Sequence, residues 1–118
     1  MAARRARAAG MLTAAGAPNI VLGGSHSGNV AAANLAGSGA LDIVTSDYVL
    51  HAPFVLAANC VLPLAEAIGL VTAGPAHAVH VRDRGRISPG ARADLVRVAL
   101  RDGVPMVNSV YCAGRRVG

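Results

Sequence analysis

Aromatic residues are scarce in this sequence of 118 residues, which has no tryptophan, one phenylalanine and two tyrosines. Proteins that bind single-stranded nucleic acid stack bases on aromatic side chains, and those that bind duplexes carry recognisable motifs. The chain has neither feature. Its formal net charge of +5 at pH 7 therefore does not indicate a nucleic-acid partner.

Lysine is absent, so all 11 cationic residues are arginines, and they lie at positions 4–7 or from Arg82 onward. Between positions 8 and 81 the only charged residues are Asp42, Asp47 and Glu66. A stretch of Ala, Val, Leu and Gly with so few charges is typical of parallel sheets that helices cover on both faces. The pattern predicts an α/β fold in which this stretch is buried on most faces.

No apolar run is long enough for a membrane span. The hydrophobic stretch 49–71 is interrupted by Pro53, Asn59, Pro63 and Glu66. No uninterrupted run reaches the length of about 18 residues that a span requires. The stretch therefore predicts two buried helices divided at Pro63, and no membrane partner.

The chain also lacks the marks of a secreted protein. Its Arg-rich start, residues 1–10, has no apolar core of signal-peptide length and predicts a helix over Ala2–Ala9 that Gly10 ends. Cys60 and Cys112 are far apart and form no CxxC motif. We expect both to be buried free thiols in a reducing cytoplasm.

Short β-branched runs followed by polar residues occur twice. The first run begins with Met11–Ala14 and is completed by Asn19–Leu22, which opens into the loop Gly23–Asn29. The second, Leu41–Thr45, ends on residues 46–48, Ser-Asp-Tyr. Strand, helix and strand in this order predict a parallel pair, and chemistry collects at the carboxyl ends of parallel strands. We therefore expect both polar clusters at one end of a sheet.

The remaining predicted elements follow from helix caps, breakers and hairpin signals. Asp102-Gly103 between two β runs predicts a hairpin. The predicted elements are helices over Val30–Ala36, Pro53–Cys60 and Leu64–Ala73, a break at Gly74-Pro75, a turn at Ala76–Val79, and strands Ala93–Leu100, Met106–Cys112 and Arg115–Val117.

Asp47 is the strongest candidate for chemistry. A carboxylate at a strand end, beside Ser46 and Tyr48, has the donor atoms to ligate a hard cation or to accept a proton from an attacking water. The alternative is a helix cap or a structural hydrogen bond. Asp42, at the start of the same strand, is expected to be structural.

His26 lies in the loop Gly23–Asn29, between Ser25 and Ser27. Glycines allow the backbone to approach an anion, and successive N–H groups form a nest that suits phosphate. The alternative is a tight turn with a solvated histidine. His77 and His80 have a spacing that places two ligands on one helix face, but no third ligand is near in sequence.

Two segments carry a resemblance to a known family. GAPNIVLGGSHSGN at 16–29 and LDIVTSDY at 41–48 resemble the phosphonate-metabolism branch of the amidohydrolase superfamily. The resemblance continues through LPLAEAIGLVTAGPAHAV and DRGRISPGARADLVRV to Gly118. GGSHSGN is the most specific motif, whereas SDY and GARADLV occur more widely in the superfamily.

The resemblance implies a (β/α)8 barrel with a small β-domain. Residues 1–81 would form the C-terminal part of the barrel, with its last two parallel strands and their helices, and 82–118 the C-terminal strands of the small domain. A complete barrel needs about 250 residues, so the chain of 118 residues is expected to be a fragment whose Met1 falls inside a domain.

The resemblance also implies the chemistry: a hydrolase that releases pyrophosphate from a ribose phosphonate carrying a 5-triphosphate. It needs a divalent metal ion, zinc or another transition metal, in the complete protein. Asp47 would be catalytic and a metal ligand, and His26 catalytic. The substrate-binding residues implied by the motifs are Gly23, Gly24, Ser25, Ser27, Asn29 and Tyr48.

Two of the chain's departures from the family bear on its chemistry. Leu22 stands where the family usually has arginine, which removes a bidentate phosphate donor. The early barrel strands that carry the metal-binding histidines are absent, so the isolated chain is expected to be inactive. The expected partners are the substrate, the missing N-terminal part of the barrel and other phosphonate-pathway proteins. The alternative is a non-catalytic remnant or a small interaction domain.

Overall fold

The computed structural model describes residues 2–21, 32–46 and 51–118. The predicted mixed α/β character is confirmed. In chain order the elements are α1 (Ala2–Ala8), β1 (Ala14–Gly16), α2 (Pro18–Val21), α3 (Ala32–Gly37), β2 (Ile43–Thr45), α4 (Ala52–Ala58), α5 (Leu64–Gly69), α6 (Ala73–Ala78), β3 (Leu95–Arg101), β4 (Val104–Cys112) and β5 (Arg115–Arg116).

The first two strands form a parallel pair, as the strand–helix–strand order predicted. Ala14 lies opposite Ile43, and Gly16 lies opposite Thr45. The second strand begins at Ile43 rather than at Leu41, whose side chain is buried in the core. Beyond β1, the N–H of Ala17 donates to the carbonyl of Thr45 at 2.9 Å. The two strands therefore end side by side.

The prediction that Asn19–Leu22 is a strand was wrong, because Pro18–Val21 is the short helix α2. Proline suits the first helical position, since its φ is already helical and its missing N–H would have no partner there. Ile20 is buried and donates its N–H to the carbonyl of Ala17 at 2.9 Å. Periodicity cannot distinguish a helical turn from a strand in so short an apolar run.

The core lies between the parallel pair and the helices α2 to α5. It consists mainly of small side chains, and Leu56 is the largest that is fully buried. Small residues at these positions allow helices and strands to approach closely. The buried cluster comprises Ala17, Ile20, Ala32, Ala36, Leu41, Val44, Ala52, Leu56 and Ala67.

Two further predictions about the charge-poor part of the chain were wrong: the break at Gly74-Pro75 and the turn at Ala76–Val79, most of which is also helical. Gly74-Pro75 does not break a helix but lies inside α6, and the break comes at residues 70–72. Proline is tolerated there because the first helical N–H groups have no intrahelical acceptor. A Cβ on Gly74 would collide with the carbonyl oxygen of Asp42, so glycine permits α6 to pack against the start of β2.

The expected burial of the two cysteines was also wrong. Both are free thiols, but Cys60 and Cys112 are exposed. Cys60 follows the C-terminal end of α4 with a φ of 55°, and Cys112 is the last residue of β4. Chain turns leave both side chains at the surface, which residue type alone does not reveal.

The C-terminal strands form a separate antiparallel sheet in the order β3-β4-β5. The predicted hairpin is confirmed: Asp102 and Gly103 have φ values of 51° and 78°, as a type I′ turn requires. A register shift lies between Arg97 and Val98. The sheet positions that the turn signals predicted are therefore correct, apart from one or two residues at strand ends.

Gly85 fixes how the segment after α6 packs against that helix. Its φ is +87°, and a methyl group there would lie 2.7 Å from Cβ of Ala76 and 3.0 Å from the carbonyl oxygen of Thr72. Gly90 has a similar φ of +82° but nothing within 4 Å. The two glycines share backbone strain and differ in steric contact.

We predict that Gly85→Ala destabilises the protein more than Gly90→Ala. Alanine at a left-handed position costs roughly 1–2 kcal/mol, and the overpacking at Gly85 adds about 1–3 kcal/mol. Urea unfolding of both variants, compared with the wild type, measures the difference. Equal losses of unfolding free energy would show that the contact with α6 is not tight.

Candidate functional site

The predicted site residues follow elements that the structure describes, but they themselves lie outside the described residues. Ser46 follows β2, is exposed and is the last described residue before Asp47. Val21 ends α2 and is the last described residue before the glycine loop. The candidates outside the described residues are Gly23, Gly24, Ser25, His26, Ser27, Asn29, Asp47 and Tyr48.

The parallel pair brings the two segments that lead to these candidates to the same end of a sheet. Gly16 and Thr45 are opposite each other at the carboxyl ends of β1 and β2. The hydroxyl of Thr45 donates to the carbonyl of Ala15 at 3.4 Å. Asp47 comes two positions after Thr45 in the sequence. Its place at a strand end, and the roles of all eight candidates, remain predictions.

Asp42, at the opposite end of β2, is held by contacts that explain a structural role. Its Oδ2 accepts the Thr13 N–H at 2.9 Å and lies 3.0 Å from the Thr13 hydroxyl. Its Oδ1 forms an ion pair with Nη2 of Arg7 at 3.2 Å. The carboxylate ties α1 and the residue before β1 to the start of β2, which confirms the expectation from its position.

No group of three His, Cys, Asp or Glu side chains that could hold a metal ion occurs among residues 2–21, 32–46 and 51–118. His51, His77 and His80 are all exposed. His77 lies in α6, whereas His80 lies beyond its C-terminal end with a φ of 59°. In the same ranges of the chain, no helix has the length and apolar character of a membrane span.

Asp94 organises a charged cluster that the sequence did not single out. Its Oδ1 accepts the N–H of Ala113 at 2.8 Å and lies 2.9 Å from Nε of Arg92. Its Oδ2 lies 3.2 Å from Nη1 of Arg84. The Ala113 N–H, followed by the Arg92 and Arg84 guanidinium groups, holds the pKa of Asp94 below its ordinary value. The carboxylate thus joins the segment before β3 to the turn between β4 and β5.

We predict that Asp94→Asn lowers the free energy of unfolding at neutral pH and that the loss shrinks in acid. Because the folded-state pKa is depressed, the stabilisation is fully present above the unfolded-state value of about 3.9. It is lost as the pH falls through the lower folded-state pKa. The loss is measured as the difference in unfolding free energy between wild type and variant at about ten pH values between 2 and 7.

Asp102→Asn is the matched control for this titration. Asp102 is exposed in the hairpin turn, and it takes part in no ion pair in the part of the chain that the structure describes. Asparagine is favourable at this turn position. The role of Asp94 would be contradicted if the loss of unfolding free energy in Asp94→Asn stayed constant with pH. It would also be contradicted if the loss in Asp102→Asn shrank in acid by the same amount.

Comparison with known proteins places the chain in a family. The model described as "Amidohydrolase family" matches residues 2–117. Alpha-D-ribose 1-methylphosphonate 5-triphosphate diphosphatase of Escherichia coli (strain K12) is 47% identical over 122 aligned residues, which cover 98% of this chain and 32% of that protein. The chain therefore spans about a third of the length of this relative.

Other relatives match shorter parts. Imidazolonepropionase of Streptomyces griseus is 50% identical over 60 residues, covering 44% of this chain and 15% of that protein. Adenine deaminase 2 of Oenococcus oeni is 46% identical over 59 residues, covering 50% of this chain and 10% of that protein. No solved structure matched the chain significantly. The family match over nearly the whole length is decisive: the chain belongs to the amidohydrolase family.

Proposed function

We propose that the chain is the C-terminal third of a hydrolase that releases pyrophosphate from alpha-D-ribose 1-methylphosphonate 5-triphosphate. The observation that carries this proposal is the extent of the match to the E. coli diphosphatase, which covers 98% of the chain. The imidazolonepropionase and adenine deaminase matches cover half of the chain or less. General hydrolase character is supported by the family as a whole.

In this proposal, residues 1–81 are the last two strands of a (β/α)8 barrel with their helices. The parallel pair of β1 and β2, with helices between the strands, supports this interpretation. Residues 82–118 are the final strands of a small β-domain, which the separate antiparallel sheet supports. A barrel has eight strands, so the remaining ones come from the part of the relative that this chain does not span.

Asp47 is the proposed catalytic residue. In an (β/α)8 barrel the reacting groups lie at the carboxyl ends of strands, and Asp47 follows the carboxyl end of β2. Its carboxylate accepts a proton from the water that attacks the phosphoanhydride. His26 and the glycine loop hold the phosphate oxygens, with Ser25, Ser27 and Asn29 as polar donors.

The isolated chain supplies too few candidate ligands for a catalytic metal site. Asp47 and His26 provide one carboxylate and one imidazole, whereas a catalytic zinc site uses three protein ligands. Asp47 would therefore be one ligand of a divalent metal ion, and the other ligands would come from the barrel strands absent from this chain. When bound, such an ion lowers the pKa of a coordinated water and stabilises negative charge.

A chimera tests the proposal. In it, this chain replaces the matching third of the E. coli diphosphatase, and the purified protein is assayed separately with the triphosphate, with imidazolonepropionate and with adenine. We expect hydrolysis of the triphosphate alone, with release of pyrophosphate. A folded chimera that acts on either of the other two substrates, and not on the triphosphate, would overturn the assignment.

A further inference from the structure

A cavity of about 310 Å³ lies between α6 and the segment that follows it. Its polar lining is rich in cationic and imidazole groups, and no acidic side chain lines it among the described residues. The lining residues that the structure describes all lie between positions 73 and 86. The groups that bring donors to the cavity are His77, His80, Arg82, Arg84 and Arg86.

The arginines of this cavity differ in how their charges are compensated. Arg84 lies between two carboxylates: its Nε is 3.0 Å from Oδ1 of Asp83, and its Nη1 is 3.2 Å from Oδ2 of Asp94. Arg82 and Arg86, on either side, form no ion pair in the part of the chain that the structure describes. The cavity therefore carries two guanidinium charges that Asp83 and Asp94 do not balance.

The segment that carries these arginines is fixed in place. Gly85 packs against Ala76 so closely that a methyl group would not fit. The N–H of Val81 donates to the carbonyl of Ala76 at 2.9 Å, and the N–H of Arg92 donates to the carbonyl of Asp83. The backbone that carries the donors is therefore in position before a ligand arrives, and only the side chains have to be ordered on binding.

We propose that this cavity binds the phosphate group of a small phosphorylated molecule. Guanidinium groups donate paired hydrogen bonds that match phosphate oxygens, and the ring nitrogens of His77 and His80 add further donors. The volume of about 310 Å³ lies at the lower end of the range for ligand pockets, about 300–1,000 Å³. It has room for a phosphate ester as well as for free phosphate.

The proposal does not rest on the proposed function. The N-terminal end of α6 packs against the carbonyl of Asp42, at the start of β2. Of the candidate catalytic residues, Asp47 follows the other end of that strand in sequence, and His26 follows α2. Binding at the cavity is therefore tested with the chain as it is, without a barrel and without an activity assay.

Equilibrium dialysis of the full chain against radiolabelled inorganic phosphate and, separately, against labelled ribose 5-phosphate tests the site at constant ionic strength. We expect saturable binding of one ligand per chain. Tighter binding of the ester would identify a phosphorylated metabolite as the ligand, and equal binding would identify free phosphate. Both outcomes support the site, whereas the absence of saturable binding of either ligand overturns it.

Two double variants distinguish binding at this cavity from nonspecific electrostatic attraction between phosphate and a basic protein. Arg82→Gln with Arg86→Gln is expected to weaken binding by about tenfold or more, the factor for losing one charge-assisted hydrogen bond. Arg97→Gln with Arg101→Gln removes the same charge from exposed positions of β3 and is expected to change affinity less than about twofold. Circular dichroism checks that all variants keep the wild-type secondary structure. Equal weakening by both pairs would overturn the proposal.

Discussion

Asp47→Asn in the chimera is expected to lower turnover by a factor on the order of 10² to 10⁴, the usual worth of a general base. Asparagine keeps the size of the side chain and one acceptor oxygen, but it loses the charge and the basic oxygen. If Asp47 accepts the proton of the attacking water, the loss falls on the chemical step. The melting temperature should change little, because in this role the carboxylate acts on the reacting water and not on the fold. A helix cap would instead cost about 1–2 kcal/mol of stability and leave turnover nearly intact.

Asp42→Asn is the matched control, because the same substitution is made at the other end of the same strand. Asp42 accepts hydrogen bonds from Thr13 and pairs with Arg7, and its side chain is 16% exposed. Losing one hydrogen bond to a charged group costs about 1.5–3 kcal/mol. We therefore expect this variant to melt at a lower temperature and, once folded, to keep its turnover.

The comparison requires kcat and the melting temperature of both variants in one chimera. We expect a loss of rate for Asp47→Asn and a loss of stability for Asp42→Asn. If both variants lower the melting temperature alike and neither changes the rate, Asp47 is structural and its catalytic role is wrong.

One face of the C-terminal sheet carries apolar side chains, and we call it the apolar sheet face. Alternation along β3 places Val96, Val98 and Leu100 on one face, and their direct partners on β4 share it. Val96 and Val107 are 58% and 64% exposed. The apolar sheet face comprises Val96, Val98, Leu100, Pro105, Val107 and Val110.

We expect the isolated chain to self-associate through the apolar sheet face at micromolar concentration. An uninterrupted apolar surface of this kind associates with another surface unless something covers it. The opposite face differs, because it carries Arg97 and Arg101. In the proposed complete enzyme, the remaining strands of the small β-domain would cover the apolar sheet face.

Val96→Lys with Val107→Lys tests this prediction by sedimentation velocity. Both side chains are exposed, so lysine adds charge without burying it, and we expect the sedimentation coefficient to fall to that of a monomer. Val79→Lys with Ile87→Lys is the matched control, since these residues are 69% and 91% exposed and lie outside the sheet. This control should still self-associate. A wild-type chain that is a monodisperse monomer with a cooperative melt would contradict the prediction.

The parts of the fold that sequence predicts well are those with strong local signals. Asp102-Gly103 identifies a type I′ turn by chemistry alone, and the flanking strands follow from it. The position of β2 follows from a β-branched run between the glycine-rich segment 37–39 and the polar residues 46–48. Pro18–Val21 shows the limit: its four residues fit a strand or a helical turn equally, and the structure has them as a helix with Ile20 in the core.

Other features depend on contacts between residues distant in sequence. Nothing local to Asp94 indicates that its carboxylate meets the N–H of Ala113, since the hairpin must first bring the two together. Arg82, Arg84 and Arg86 read in sequence as a run of solvated charges. Only the packing of Gly85 against α6 shows that they line a cavity. Asp47 and His26 were predicted from motifs, and their roles remain to be measured.

The activity proposed for this chain is tested by pyrophosphate release from the triphosphate, measured for the chimera and for the isolated chain under the same conditions. We expect steady release by the chimera, and none above a metal-only control by the chain alone, because one carboxylate and one imidazole do not complete a catalytic metal site. Release by the isolated chain that Asp47→Ala abolishes would show that the catalytic site does not need the rest of the barrel, contrary to the proposed function. A folded chimera that binds the triphosphate and releases no pyrophosphate would also contradict the proposed function.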